Sequence, residues 1–390
     1  MTNSISFKRA SLYIAFMALS ARLLFLIFFP DLDFPDSRAY LKMGNELFSN
    51  KVVTNDIYMP LYPIVTYVTG GGFFLKIFDI SLSLVLIVLI YAISLEIFGD
   101  KKAALISGSI AALYPHIVFY SVSGLTEIMF TTFLLLAILL LYKKHFVLAF
   151  IVLALSILIR PSTDLFNPVL VFLFVFYIHK ASIMKSLYYL LLYLFIYSLV
   201  MSPWWLYQYN KYGDFVRLNL GDGIVLFSGN NPLNTSGGGV GNGNKGKDDM
   251  DLSVFKDIVD PIEKNKQMKN EAYKYIVENP SQFIKMSLVK FERFWRLWPH
   301  TNKYQQWYTI IASISSYGIV LALSIFFIFK YFSFYRKKLI PILGLFFYLT
   351  LIHMVTIGSI RYRFPLEPFL IIFSGYIIAK LSFIRRFEIN

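Results

Sequence analysis

The chain contains no cysteine. That excludes disulfides, cysteine-ligated zinc, iron–sulfur clusters and thiol nucleophiles. It says nothing of compartment. Charge is also scarce: 15% of the 390 residues are charged, and only 23 are Asp or Glu. A water-soluble protein of this length needs far more polar surface, so the two or three soluble domains suggested by length alone are excluded. What fills the chain is apolar, with 57% hydrophobic residues and a mean hydropathy of +0.60. The 37 Lys and Arg still leave a net charge of +14. That combination fits a polytopic membrane protein or an unusually apolar nucleic-acid binder, and the positions of the bases decide between them.

A helix crosses a bilayer core with about 20 mostly apolar residues. Ten stretches qualify as candidate spans: 10–29, 78–98, 103–119, 124–142, 146–160, 164–180, 186–203, 306–330, 339–356 and 364–383. The first follows Lys8-Arg9 without a small-residue cleavage site, so it reads as an uncleaved signal anchor. With the N-terminus inside, the connecting segments on that side carry fifteen bases against only Glu96, Asp100 and Glu388. The positive-inside rule therefore places both termini in the cytoplasm. The basic excess orients the chain and gives no sign of nucleic acid. The expected fold is an all-α polytopic membrane protein of about ten transmembrane helices.

Three regions follow. Residues 1–203 form an N-terminal transmembrane core that includes a first outer loop, 30–60. Residues 204–305 form a second outer loop, and residues 306–390 the last transmembrane helices. Leu41 to Phe48 is amphipathic and suits an interfacial helix, and another is expected after Tyr58-Met-Pro-Leu-Tyr-Pro, with a flexible end at Gly70-Gly71-Gly72. In the second loop, 236–247 is glycine-rich and reads as a flexible lid. Residues 251–298 read as helical, broken at Asn279-Pro280, with Ser281 as N-cap. There Arg293 and Arg296, three apart, would share a helix face, with aromatics opposite. Such a helix either lies against the membrane or packs on top of the bundle.

Several motif-like strings carry little. Gly241 to Asp248 approaches a phosphate-binding loop, but Asp248 stands where Ser or Thr would hold magnesium. His116, His300 and His353 map near the outer face without ligand-type spacing, so no metal site is assigned. More telling are charges beside spans on the outer side, where such residues are costly and mark functional cavities. These are Glu127, Arg160, Asp164, Arg361, Arg363 and Glu367. The arginines there either pair internally with these acids or bind an anion such as a lipid phosphate, for which forked guanidinium donors are suited. In the first loop, Pro35 fixes a turn, and the helix-like run after it holds Asp36 at its N-terminal end. A carboxylate there could deprotonate a hydroxyl or hold a divalent cation.

The order of short motifs resembles the GT-C membrane glycosyltransferases, in the branch similar to protein O-mannosyltransferases and aminoarabinose transferases. The matching pieces are Pro35-Asp36-Ser37-Arg38-Ala39-Tyr40, Met59-Pro60-Leu61-Tyr62-Pro63, Phe98-Gly99-Asp100, Leu113-Tyr114-Pro115, Thr126-Glu127, Ile159-Arg160-Pro161, Pro203-Trp204, Gly229-Asn230-Asn231-Pro232 and Arg361-Tyr362-Arg363-Phe364-Pro365-Leu366-Glu367-Pro368. They run in order over nearly the whole chain. The chain departs from the family in being short, with no separate C-terminal soluble domain, and Met59 replaces a proline.

The resemblance implies an inverting transferase that takes a sugar from a polyprenyl-phosphate donor on the extracytoplasmic face of a bacterial inner membrane. The acceptor hydroxyl would belong to a lipid, a glycan or a protein. On this reading Asp36, or less favourably Asp33, is the general base, and Arg361, Arg363 and Arg160 neutralise the leaving phosphate. Glu127, Tyr62, Tyr362, Arg293 and Arg296 contact substrate. No cofactor is required, and a divalent cation is left open. The rival readings are a lipid-linked polysaccharide polymerase or ligase, and a flippase or transporter of lipid-linked sugars. The transporter fits less well because no internal repeat relates the two halves.

Overall fold

The path of the chain was read from a computed structural model, which describes residues 7–30, 34–49, 52–54, 57–239, 250–300 and 305–381. Among the described residues every regular element is helical. The first two are α1 (Phe7–Phe28) and α2 (Pro35–Phe48). Then come α3 (Leu61–Val68), α4 (Gly72–Phe98), α5 (Lys101–Leu113), α6 (Pro115–Tyr120), α7 (Thr126–Tyr142) and α8 (Phe146–Ile159). Next, α9 (Asn167–Phe172) runs on as a wider π turn, Leu173–Ile178, before α10 (Ile183–Tyr212) and α11 (Asp222–Gly229). The second loop supplies α12 (Pro261–Glu278) and α13 (Pro280–Trp295). The chain then continues through α14 (Trp307–Ser313), α15 (Ile319–Val355), α16 (Ile360–Arg363) and α17 (Glu367–Lys380).

Four helices are long and apolar enough to cross a membrane: Arg9–Phe28, Gly72–Phe98, Ile183–Tyr212 and Trp307–Val355. Others expected as spans are shorter, including α7, α8 and the Asn167–Ile178 segment. Local chemistry explains the differences. The expected span 103–119 breaks at Tyr114 because Pro115 has no N–H for the ladder and starts a new helix. The expected end at Pro203 is overrun: Trp204 and Trp205 donate their indole N–H groups to Leu218 O and Arg217 O, fastening the next turns. Gly70–Gly72, expected as a flexible end, leads directly into α4 with all three residues at positive φ.

The longest helical run, Trp307–Val355, covers two expected spans in one run of 49 residues. It nevertheless doubles back. The rings of Phe327 and Phe346 lie 4.9 and 6.4 Å from the same Phe373 ring, whereas a straight helix would separate those residues by about 28 Å. The reversal lies near Arg336-Lys337-Lys338 and Pro341, where the proline interrupts the hydrogen-bond ladder.

At the centre stands α17, buried on nearly all sides, against α5, α15 and α4. Small residues allow this approach. A Cβ at Gly375 would lie 2.9 Å from the backbone N of Ser107, so α5 and α17 pack almost backbone to backbone.

The bundle has two unlike ends. One gathers bases. There Tyr142 donates to Lys338 O at 2.6 Å, Lys338 Nζ donates to Ile97 O at 3.2 Å, Lys143 meets Glu96 at 3.2 Å, and Lys380 meets Asp100 at 3.0 Å. Asp100 also caps α5 through the amides of Lys102 and Ala103. The other end gathers the acids and arginines that stand out in the sequence.

Candidate active site

The Pro35 ring presets the first helical position of α2, which leaves Asp36 in the first turn, where the helix dipole favours a carboxylate. Ser37 Oγ donates to Ser123 O at 3.0 Å, tying this turn to the loop that enters α7. Gly124 in that loop has φ +61°, and a Cβ there would press on Ser37 Oγ at 3.3 Å. The tie brings Asp36 towards Glu127, in the first turn of α7.

Four charges meet at this point. Arg361 Nη1 donates to Asp36 Oδ2, and Arg361 Nε donates to Glu127 Oε1. Arg160 Nη1 donates to the same Glu127 oxygen at 2.8 Å. Tyr58 donates its hydroxyl to Asp36 Oδ1 at 3.1 Å. Two carboxylates thus face two guanidiniums, so the set is charge-balanced. Glu127 is fully buried, whereas the Asp36 and Arg361 side chains keep 31% and 27% of their surface exposed. The open side of the cluster is therefore the Asp36–Arg361 contact.

Burial would push the Asp36 carboxyl up. The charge of Arg361, the hydrogen bonds from Arg361 and Tyr58 and the more distant charge of Arg160 outweigh it and hold the group below the usual carboxylate range. Tyr40, one turn along α2, is buried near the same charges, and burial lifts its phenol to about 12. The arginine side of the cluster is braced by rings. The Arg160 guanidinium sits 4.9 Å over Tyr362, and Tyr362 stacks at 4.5 Å on His353.

The remaining expected site residues separate into other groups. Arg363 is fully buried: Nε donates to Glu367 at 2.9 Å, Nη1 to Phe294 O and Arg296 O, and the guanidinium lies 3.6 Å over Tyr317. His116 Nδ1 lies 2.8 Å from Glu367. Arg293 donates to Gly358 O at 3.1 Å from the last turn of α13. Arg296 lies just past that helix with ψ 143°, so the two arginines do not share a helix face. Asn279, and not Ser281, precedes α13, because Pro280 takes the first helical position. Tyr62 is fully buried, donates to Asp79 at 2.7 Å and packs its ring 5.2 Å from Tyr40. Asp164 pairs with Arg217 and accepts from Tyr197 at 2.7 Å. Asp33 and most of the glycine-rich segment, residues 240–249, lie outside the described residues.

Three residues outside the expected site set, Tyr58, Ser37 and His116, acquire partners 22, 86 and 251 residues away. Among the described residues no group of three or more His, Asp or Glu gathers at metal-binding distances. No family model matches the chain, and no curated protein matches it.

Proposed function

We propose that the chain is a GT-C-type membrane glycosyltransferase of about ten spans, using a polyprenyl-phosphate sugar as donor and a hydroxyl as acceptor. The base-rich end faces the cytoplasm, and the Asp36 end opens on the other side. One observation carries the reading. The first-loop acid Asp36 and the late motif Arg361-Tyr362-Arg363, 325 residues apart for the directly paired side chains, meet at one partly open point beside Glu127. The in-order resemblance supports the same pairing of roles, and the segregation of bases to the opposite end supports the orientation.

In this mechanism Asp36 takes the proton of the acceptor hydroxyl as that oxygen bonds to the anomeric carbon of the sugar. The bond from that carbon to the phosphate oxygen breaks, its electron pair leaving with the phosphate, so the configuration inverts. Arg361 is the cation we place against the leaving phosphate, because its guanidinium is the partly exposed one and already spans both carboxylates. Arg160, with a side chain 13% exposed, supplies a second charge. We assign Arg363 to positioning, since Glu367 and two carbonyls already occupy it within the core. Tyr362 orients Arg160, and Tyr62 anchors the segment after the first loop.

The test is Asp36→Asn in purified, membrane-reconstituted protein, with the donor pool measured by mass spectrometry of lipid extracts. Normal insertion with sugar transfer lost, and a polyprenyl-phosphate sugar accumulating in cells lacking the gene, is the expected result. Full transfer by Asp36→Asn would remove the general-base role. An unchanged lipid pool would remove the transferase reading.

A further inference from the structure

Lys290, in α13, is a charge without a counter-charge. It has no exposed surface, and its ammonium donates to Asn230 Oδ1 at 3.0 Å and to Val355 O at 3.1 Å. Both acceptors are neutral. Among the described residues no carboxylate pairs with it, and burial pushes the ammonium down to about 8. At pH 7 the group is therefore still charged, and keeping that charge buried destabilises the fold. An ionisable group held in such a state points to a role beyond packing.

Its partners say what that role is. Val355 ends α15, where a helix leaves carbonyls without amide partners and its dipole favours a cation. The next helical turn, α16, carries Arg361, whose guanidinium spans Asp36 and Glu127. Helix α13 grips the backbone between them. Arg293 Nε donates to Gly358 O at 3.1 Å, and a Cβ at Gly358 would stand 2.8 Å from the Lys290 Cα. The loop thus lies backbone to backbone on the helix. Past Arg361, Arg363 Nη1 donates to Phe294 O at 3.0 Å and Arg296 O at 2.7 Å. The turn that holds Arg361 is therefore fastened to α13 and its end both before and after it. The end of α11 closes on the same loop. There Asn230 Nδ2 donates to Val355 O at 2.9 Å, and a Cβ at Gly229 would stand 2.8 Å from the carbonyl carbon of Thr356. Lys290 joins all three pieces.

We propose that Lys290 is a positioning residue for Arg361. It clasps α13 and the end of α11 to the end of α15, and so fixes the turn from which Arg361 reaches Asp36 and Glu127. Its hydrogen bonds go to Asn230 and Val355, so it acts through the backbone and touches no reacting group. The catalytic half of the proposal rests on the transferase reading; the placement of Arg361 does not.

The test is a thermal double-mutant cycle on the full chain in detergent, with sugar transfer measured beside it. Lys290→Met exchanges the unpaired charge for an apolar chain of similar length and is expected to fold with a midpoint close to wild type. Side chains that share no partner give additive effects. A Lys290 that only packs would therefore leave the Arg361→Gln shift unchanged. The expected result is that Arg361→Gln lowers the midpoint of Lys290→Met by about half, or less, of its shift in wild type. Equal shifts in the two backgrounds overturn the proposal. Asn230→Ala removes one acceptor of Lys290 and a second hold on Val355. It is expected to shrink the Arg361→Gln shift in the same way, and an undiminished shift there also overturns the proposal. This second cycle decides the question should Lys290→Met fail to fold. In the transfer assay Lys290→Met is expected to lower kcat about tenfold or more, with KM for the acceptor unchanged. A wild-type kcat overturns the role in catalysis. Absence of transfer by the wild type would count against the transferase reading alone, and the thermal cycles would still decide the placement of Arg361.

Discussion

Arg361 holds Asp36 by an ion pair that joins residues 325 positions apart. The same guanidinium holds Glu127, so one side chain closes the gap between the start of α2 and the start of α7. Because Glu127 is fully buried, its charge has no solvent to fall back on. The arrangement couples the stability of this end of the bundle to the chemistry proposed for it.

Arg361→Gln keeps a donor but removes the charge that serves both carboxylates. Arg160 stays on Glu127, so the loss falls short of complete exposure of a buried charge. A destabilisation on the order of 3 kcal/mol is expected for breaking a buried pair in this way. Thermal unfolding in detergent, with Arg160→Gln alongside, measures it. A change under a few tenths of a kcal/mol would show that the contact contributes nothing to stability.

The acid limb of stability follows from Asp36. Its folded carboxyl is held below the unfolded value, so between the two values the unfolded chain binds more protons. The contribution is complete above the unfolded value, about 3.9, and is lost as pH falls through the folded one. Wild type minus Asp36→Asn, compared by thermal midpoint across pH 2–6 on the order of that window, isolates the group. In the Arg361→Gln background the loss is expected at higher pH. An unshifted limb would mean that Arg361 does not set it.

The charge pattern is legible in the sequence because it depends on solvation: bases at Lys143, Lys338 and Lys380 do collect at one end of the bundle. So is the start of α2, where Pro35 and Asp36 act locally. Tyr62 is not, because a tyrosine in a proline-rich outer segment reads as a substrate contact, whereas its partner Asp79 lies a helix away. The division of the arginines is also hidden. Arg361 and Arg363 sit two apart and point to different carboxylates, Glu127 and Glu367, and only tertiary packing decides which remains open.

Tyr62→Phe removes one oxygen and leaves the fully buried Asp79 without its hydroxyl donor. A cost of about 1 to 3 kcal/mol is expected for stranding a buried polar group. Asp79→Asn in the same background tests the mechanism by double-mutant cycle. Additive effects would show that the two side chains do not act as a pair.

The close approach of α5 and α17 gives the sharpest packing prediction. A Cβ at Gly375 would stand 2.2 Å from Ser107 Oγ and 2.9 Å from Ser107 N, so Gly375→Ala must push the helices apart. Alanine's better helix propensity offsets up to about 1 kcal/mol, yet overpacking in a close-packed core costs about 1 to 3 kcal/mol. Net destabilisation is expected. The double variant Gly375→Ala with Ser107→Gly relieves the clash with the hydroxyl and leaves the clash with the backbone, so only partial recovery of the thermal midpoint is expected. Full recovery would place the hydroxyl, and not the backbone, at the limit of approach.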